Sequence, residues 1–283
     1  MIGSGITASL SPALHEREAQ RLGLRYLYVP IDLDRLDLPP DYLAGMVTYA
    51  GLLGFSGLNI THPCKQTVLD HLDEVAPAAA EVGAVNTVVF RDGRSIGHNT
   101  DVFGFEQNMV CNLPGASLNK VVILGAGGAG SAVAQVVLGL NANKIVVIDM
   151  NQGRLERLAA TLRERYESTR FKVAAPTDAS AELIDATGLI NATPVGMAAH
   201  PGMPLSSDSL RPDLWVADIV YLPLETELLS TARRVGCRTL DGGGMAVFQA
   251  AAAFELFTGV QPDSQRMLRH FAELTSKRDA TGA

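Results

Sequence analysis

Cysteine is scarce. Cys64, Cys111 and Cys237 are the three in 283 residues, and they lie far apart with no CxxC pair and no histidine cluster. That spacing offers neither a disulfide framework nor a zinc site, and it fits reduced thiols in a cytoplasmic protein that needs no metal. Long apolar runs are also missing. The best candidate, Ala246 to Leu256, is interrupted by Gln249 and Glu255. It reads as a buried helix, because spanning a bilayer takes about 18–20 apolar residues. No signal peptide opens the sequence. Positive charge falls short of negative, 23 Lys and Arg against 30 Asp and Glu, for a net charge of −7. Nucleic acid and anionic membranes are therefore excluded as partners, although a local basic pocket for a small anion is not. At 47% hydrophobic and 19% charged residues the chain is expected to pack a core rather than stay disordered. Its length suits two domains.

Strand and helix signals alternate along the whole chain, which predicts an α/β architecture of two domains with mainly parallel sheets. Residues 1–111 form the first expected domain, with helices in 245–283 returning to it, and residues 112–244 form the second. In the first, Met1 to Gly3, Tyr26 to Ile31 and Gly57 to Ile60 read as strands. Ser11 reads as the cap of a helix entered at Pro12 and closed by Gly23. Asp92-Gly93 marks a hairpin between Thr87–Phe90 and Ser95–His98, and a helix follows from about Val102. The Pro-Gly loop between Asn112 and Asn119 is the expected junction. Beyond it come strands at Lys120–Leu124, Lys144–Asp149, Phe171–Ala174, Gly188–Asn191, Val216–Val220 and Arg238–Leu240, with helices between them. Helices near Met245–Thr258 and Ser264–Thr275 end the chain.

Gly125-Ala126-Gly127-Gly128-Ala129-Gly130 satisfies G-x-G-x-x-G. The match gains its meaning from context, since the apolar run Val121–Leu124 precedes it and a helical stretch follows. Gly125 permits the tight turn, Gly127 lets backbone N–H groups approach a pyrophosphate, and Gly130 lets helix and strand pack closely. The helix N-terminus adds unpaired donors and partial positive charge. Asp149 follows at the end of the next strand, about 20 residues on, where a carboxylate accepts both ribose hydroxyls of NAD. It also repels the 2′-phosphate of NADP, by about 1–4 kcal/mol at contact distance. Arg154 lies nearby, against an adenine or as a partial partner for that phosphate. NAD is the expected cofactor, with NADP a poorer alternative.

Four polar clusters stand in the first hundred residues. Ser9 and Ser11 flank Leu10, and an extended chain would turn both hydroxyls to one side as a seat for a carboxylate. Asn59 and Thr61 repeat that spacing at a strand end, and Lys65 is expected to open the next helix. Asn86 and Asp101 flank the hairpin and so can approach each other. Separately each of these has an ordinary reading: Ser11 as a cap, Lys65 as a solvated lysine, Asn86 and Asp101 as turn residues. His62 reads as structural or exposed.

The joint pattern is more specific. S-L-S-P, N-I-T-H-P-C-K, G-A-V-N-T, H-N-T-D-V-F-G and G-A-G-G-A-G stand in the order found in shikimate and quinate dehydrogenases. N-A-T-P-V-G-M from Asn191, D-I-V-Y-L-P from Asp218 and G-G-G-M-A-V-F-Q from Gly242 continue it, so the chain resembles that family over nearly its whole length. The resemblance implies an N-terminal substrate domain and a Rossmann domain. It implies Lys65 and Asp101 as the catalytic pair, with Ser9, Ser11, Asn59, Thr61, Asn86, Tyr221 and Gln249 at the substrate. Thr193, Val220 and Gly242 fall at the nicotinamide end of the cofactor. The implied reaction is reversible oxidation of shikimate or quinate to the 3-dehydro acid, in a monomer or homodimer. Departures occur at Val102, where the family more often has glycine, at Ala8 (histidine) and at His15-Glu16 (His-Asn). Asp149-Met150-Asn151 replaces the Asn-Arg-Thr usual in NADP-dependent members. The alternatives are an NADP-dependent biosynthetic enzyme, a catalytically silent dinucleotide-binding sensor, and a folate-linked dehydrogenase. The presence of Lys65 and Asp101 argues against the sensor. The paired serines and Asn86 argue against the folate enzyme.

Overall fold

The computed structural model describes residues 1–281, and the chain divides into two compact units. One comprises Met1–Gly104 together with the chain from Val247 onward; the other is Phe105–Ala246.

In the first unit β1 (Ile2–Gly3) leads through a loop into α1 (Ser11–Arg21). There follow β2 (Ile31–Asp32), α2 (Leu33–Leu36), α3 (Leu43–Leu52), β3 (Gly57–Asn59), β4 (Glu74–Val75) and α4 (Pro77–Val82). The hairpin β5 (Thr87–Arg91) and β6 (Arg94–His98) then runs into α5 (Thr100–Asn112). β2 pairs with β1 in parallel, and a parallel bridge from Ile2 to Ile60 joins β1 to the end of β3. The order continues β3–β5–β6–β4. Within this sheet β5 runs against the others, antiparallel to both β3 and β6. The hairpin turn supports that reversal, since Asp92 (φ +53) and Gly93 (φ +74) both take the left-handed conformation it needs. The C-terminal ends of β1, β3 and β6 therefore share one sheet edge with the N-terminal end of β5. Ile2, Leu58, Ile60 and Val88 bury completely or nearly so beneath Leu43 and Val47 of α3. Each contributes about 1.5–3 kcal/mol by leaving water.

The second unit holds β7 (Lys120–Leu124), α6 (Gly128–Gly139), β8 (Lys144–Ile148), α7 (Gln152–Arg163), β9 (Phe171–Ala174), α8 (Ala179–Leu183) and β10 (Gly188–Asn191). β11 (Trp215–Asp218), α9 (Glu227–Val235) and β12 (Arg238–Leu240) complete it. The six strands are all parallel in the order β12–β11–β10–β7–β8–β9. This is the doubly wound order of dinucleotide-binding sheets, and the winding reverses between β7 and β10. A parallel sheet is covered on both faces, which explains why Val121, Val122 and Ile123 are consecutive and fully buried. The chain ends with α10 (Gly243–Thr258) and α11 (Ser264–Thr281). Glu18 of α1, almost wholly buried, accepts from Arg266 Nε and from the Asp263 N–H, both at 2.8 Å, and so fixes the start of α11.

Several local expectations need correction. The alternation at Tyr26–Ile31 is not a ladder, since only Ile31 and Asp32 pair. Tyr26 and Tyr28 instead turn inward onto His15 and Phe254, and Leu27 stays exposed. Ser11 is the first helical residue, and Leu10 is helical rather than extended. The Ser9 Oγ accepts from the Ser11 N–H, so the cap lies earlier than Pro12 suggested. Lys65 sits in a turn followed by a short 3-10 helix, Thr67–His71. α5 begins at Thr100 because the Asn99 side chain accepts from the N–H groups of Asp101 and Val102. The divisions between units fall inside α5 and α10, not in the Pro-Gly loop: Phe105 and Met109 are buried, and Asn108 donates to the Asp241 carbonyl at 2.8 Å. Of the expected returning span, residues 282–283 lie outside the described residues. No described helix is long and apolar enough to cross a membrane, and no described group of His, Cys, Asp and Glu is arranged to hold a metal ion.

His15, 1% exposed, sets one acid limit on the fold. Burial, with the nearby N-terminal charge, pushes its imidazole down to about 3. The unfolded chain takes up a proton below the usual histidine value near 6.5 while the folded chain does not. Stability is therefore expected to fall as pH drops from about 6.5 toward 3, by up to about 1.4 kcal/mol per pH unit from this residue. Urea midpoints across that range should fall less steeply in His15→Gln; an identical slope would remove His15 as the cause.

Candidate active site

The shared edge of the first sheet collects the polar residues. Thr87 of β5 faces Asn59 of β3 and His98 of β6 in register, so Asn86, just before β5, lies beside Thr100 and Asp101, just after β6. Asn86 is 3% exposed, and its amide is fully engaged. Its Oδ1 accepts from the Thr100 N–H at 2.8 Å, and its Nδ2 donates to Asp101 Oδ1 at 2.8 Å. Asp101 Oδ2 accepts from Lys65 Nζ at 2.5 Å. The carboxylate also sits in the first turn of α5, where the helix dipole favours negative charge. The Lys65 ammonium has three N–H donors, and Asp101 is its partner among the described residues. Its side chain is 19% exposed, so the remaining donors can reach a ligand. Thr100 Oγ1 lies 3.5 Å from Gln249 Oε1 on α10, which brings Gln249 to the same cluster.

Asn59 joins from behind. Its Oδ1 accepts from the Tyr28 hydroxyl at 2.7 Å and its Nδ2 donates to Thr87 Oγ1 at 3.2 Å, so most of its hydrogen-bonding capacity faces inward. Thr61 follows on the loop after β3, and a Cβ at Gly3 would collide with its methyl group, so only glycine fits beside it. Ser9 ends the loop after β1 and Ser11 opens α1, their hydroxyls 3.2 Å apart. The Ser4 N–H donates to the His62 carbonyl at 2.8 Å, which ties that loop to the one carrying Thr61.

Asp32 orders the serine loop, and nothing in the sequence pattern singled it out. Its carboxylate accepts from the N–H groups of Gly5, Ile6, Thr7 and Asp34 and from the Thr7 hydroxyl, at 2.8–3.2 Å. Burial alone would raise its carboxyl, but these donors hold it below the usual carboxylate value.

In the second unit Gly125 has φ +102, and a Cβ there would stand 2.7 Å from the Ala192 carbonyl. At Gly130 a Cβ would collide with the Gly125 carbonyl, so α6 approaches the turn closely. Around Gly127 there is open space, and Gly127 offers α6 no capping side chain. Gly128 and Ala129 are partly exposed, which leaves N–H donors of the first helical turn open to a ligand at the switch point. This cradle fits a dinucleotide pyrophosphate. Asp149 Oδ2 accepts from the Ala126 N–H at 2.7 Å and Oδ1 from the Asn151 N–H at 2.8 Å. The helix cap of α7 is Asn151, not Asp149. Asp149 thus keeps lone pairs free on a partly exposed carboxylate beside the glycine turn. Arg154 is exposed one turn on, and Met150 is 90% exposed between them. Thr193 turns its hydroxyl to Asn191 Oδ1 at 2.6 Å, and the Val220 N–H donates to Asp218 Oδ1 at 3.0 Å. Gly242 presses on the backbone of Ile219 and Val220. Tyr221 follows, half-buried.

A parallel sheet of this winding with a glycine cradle, together with a lysine–carboxylate pair on a second α/β unit, defines a dinucleotide-dependent oxidoreductase. Comparison with known proteins gives the family. The shikimate dehydrogenase substrate binding domain matches residues 1–88, the alanine dehydrogenase/PNT C-terminal domain residues 98–203, and the shikimate 5′-dehydrogenase C-terminal domain residues 242–270. Shikimate dehydrogenase (NADP(+)) of Streptomyces avermitilis is 59% identical over 97% of this chain and 94% of that protein. Quinate/shikimate dehydrogenase (NAD(+)) of Corynebacterium efficiens is 43% identical over 97% of each. The solved quinate dehydrogenase from Corynebacterium glutamicum in complex with NAD is 43% identical, with a TM-score of 0.88 over 96% of this chain and 97% of that one. This chain belongs to the shikimate/quinate dehydrogenase family.

Asp32→Ala would leave the N–H groups of the serine loop without an acceptor and is expected to cost about 3 kcal/mol, given about 1–3 kcal/mol per unsatisfied buried group. Equilibrium urea unfolding measures this. A loss below about 0.5 kcal/mol would mean the loop holds itself.

Proposed function

We propose that this protein oxidises shikimate and quinate reversibly to their 3-dehydro acids with NAD, Lys65 and Asp101 acting as the proton-transfer pair. The observation that carries this reading is the Lys65 Nζ–Asp101 Oδ2 contact of 2.5 Å at a half-open sheet edge, backed by the Asn86 amide. Oxidising a secondary alcohol removes a hydride from carbon and a proton from oxygen. When bound, the nicotinamide dinucleotide supplies the hydride acceptor. Lys65, having released one proton of its ammonium to solvent, takes up the proton from the substrate hydroxyl as the neutral amine, and Asp101 orients both the lysine and that hydroxyl. Asn86 fixes Asp101, while Gln249, Asn59, Thr61 and Tyr221 bind the ring hydroxyls. Ser9 and Ser11 seat the ring carboxylate.

Asp149 supports NAD. Both its oxygens already accept from backbone N–H groups, which holds the carboxylate where a ribose would lie and where a 2′-phosphate would be repelled. The name of the Streptomyces relative and the exposed Arg154 favour the second reading, an NADP-dependent shikimate dehydrogenase. Turnover of shikimate and quinate with each dinucleotide decides between them.

Lys65→Ala is expected to lower kcat by about 10²-fold or more while leaving dinucleotide binding unchanged. Near-native turnover would sink the proton-transfer assignment. Asp149→Ala should shift kcat/KM from NAD toward NADP, because it removes the ribose acceptor and the repulsion together. A constant ratio of the two would reduce Asp149 to a residue that merely ties the turn.

A further inference from the structure

In the second unit the loops that follow β7, β10, β11 and β12 touch through their backbones. Gly125 abuts Ala192 and Thr193, the Ile219 N–H donates to the Asn191 carbonyl at 3.0 Å, and Gly242 abuts Ile219 and Val220. At the centre of this row two strand-end side chains stand in register, Asn191 on β10 and Asp218 on β11. Both are buried, at 0% and 2% exposure. Asn191 Nδ2 donates to Asp218 Oδ1 at 3.0 Å and to the Val195 carbonyl at 2.9 Å, while Asn191 Oδ1 accepts from the Thr193 N–H and hydroxyl. Asp218 Oδ1 also accepts from the Val220 N–H, and Oδ2 from the Thr226 hydroxyl at 2.8 Å.

We infer that Asp218, through Asn191, is the positioning residue that sets the Thr193 and Val220 backbones as one surface for the nicotinamide ring. The inference rests on the reading that Thr193, Val220 and Gly242 receive that ring. Asp218 does not touch the cofactor itself. Each oxygen of its carboxylate holds a different part of the floor: Oδ1 fixes Val220 and, by way of Asn191, Thr193; Oδ2 anchors the pair to Thr226 at the start of α9. Burial raises the Asp218 carboxyl to about 6, as expected where only neutral donors surround it. Its protonated form can still bond Thr226, and an amide can take the same place.

The test uses the full-length protein and separates floor geometry from general folding. ADP-ribose, which lacks the nicotinamide, serves as a competitive inhibitor that reports the rest of the cofactor site. Asp218→Ala is expected to lower kcat at saturating substrate and dinucleotide by about tenfold or more, because small misplacement of a reacting ring is costly. The inhibition constant of ADP-ribose should stay within about twofold, and Asp218→Asn should recover most of kcat. If Asp218→Ala does not fold, the near-isosteric Thr226→Val decides, with an expected loss of about threefold in kcat and the same ADP-ribose constant. An unchanged kcat in both variants, a rise in the ADP-ribose constant in step with the fall in kcat, or an Asn variant as poor as the Ala one overturns the inference. Failure of ADP-ribose to inhibit the native protein would remove the dinucleotide reading and this inference with it.

Discussion

A side-chain amide buried at the edge of a sheet must find all its hydrogen bonds inside the protein, since each one left unmade costs about 1–3 kcal/mol. Asn86 meets that demand with the first residues of α5. Its oxygen receives the Thr100 N–H and its nitrogen reaches Asp101, so the amide anchors the helix start that Asn99 caps and sets which way the carboxylate points. Lys65 then has a fixed anion to approach. This arrangement depends on strand direction. Were β5 parallel to β3 and β6, Asn86 would lie at the far edge, and the amide and the carboxylate could not meet. The hairpin turn at Asp92-Gly93 is thus as much a part of the polar cluster as its members.

The second unit answers the same demand with Asn191 and Asp218, again a buried amide against a buried carboxylate at strand ends. The electrostatic settings differ. Asp101 faces an ammonium at 2.5 Å, whereas Asp218 faces only an amide, a hydroxyl and a peptide N–H. Without a cation, burial outweighs the three neutral donors around Asp218 and raises its carboxyl to about 6. One carboxylate is paired with a cation, and the other holds backbone in place.

The parallel sheet of the second unit was legible because its strands bury both faces and so appear as unbroken aliphatic runs; four of the six match the sequence boundaries to the residue, at Lys120–Leu124, Phe171–Ala174, Gly188–Asn191 and Arg238–Leu240. The glycine turn was legible for a similar reason, since Gly125 and Gly130 stand where no side chain fits. Short elements were less so. The alternation of Tyr26 and Tyr28 has the period of a strand but comes from rings packing on His15 and Phe254, and periodicity cannot tell the two apart. Asp32 was invisible because its five donors come mostly from backbone N–H groups about 25 residues away, which no residue pattern marks. Asn191 and Asp218 did leave a trace: each is a polar residue closing a buried run, Leu189-Ile190-Asn191 and Val216-Ala217-Asp218, on neighbouring strands.

The departure from the family pattern at His15-Glu16, a glutamate in place of asparagine, gains a physical meaning from Tyr28. Glu16 accepts from the Tyr28 N–H at 2.9 Å, the His15 ring lies 4.8 Å from the Tyr28 ring, and the Tyr28 hydroxyl donates to Asn59 Oδ1 at 2.7 Å. His15 matches the family's histidine and Glu16 is the residue that departs; among the described residues neither bonds to Lys65 or Asp101. Both act on Asn59 through one tyrosine, whose backbone Glu16 holds and whose ring His15 supports. An asparagine at position 16 has a shorter side chain than glutamate and would have to reach the same N–H across a longer gap, which would let Tyr28 and then Asn59 shift. A change one layer behind the polar cluster can therefore move an amide inside it while every residue of the cluster keeps its identity.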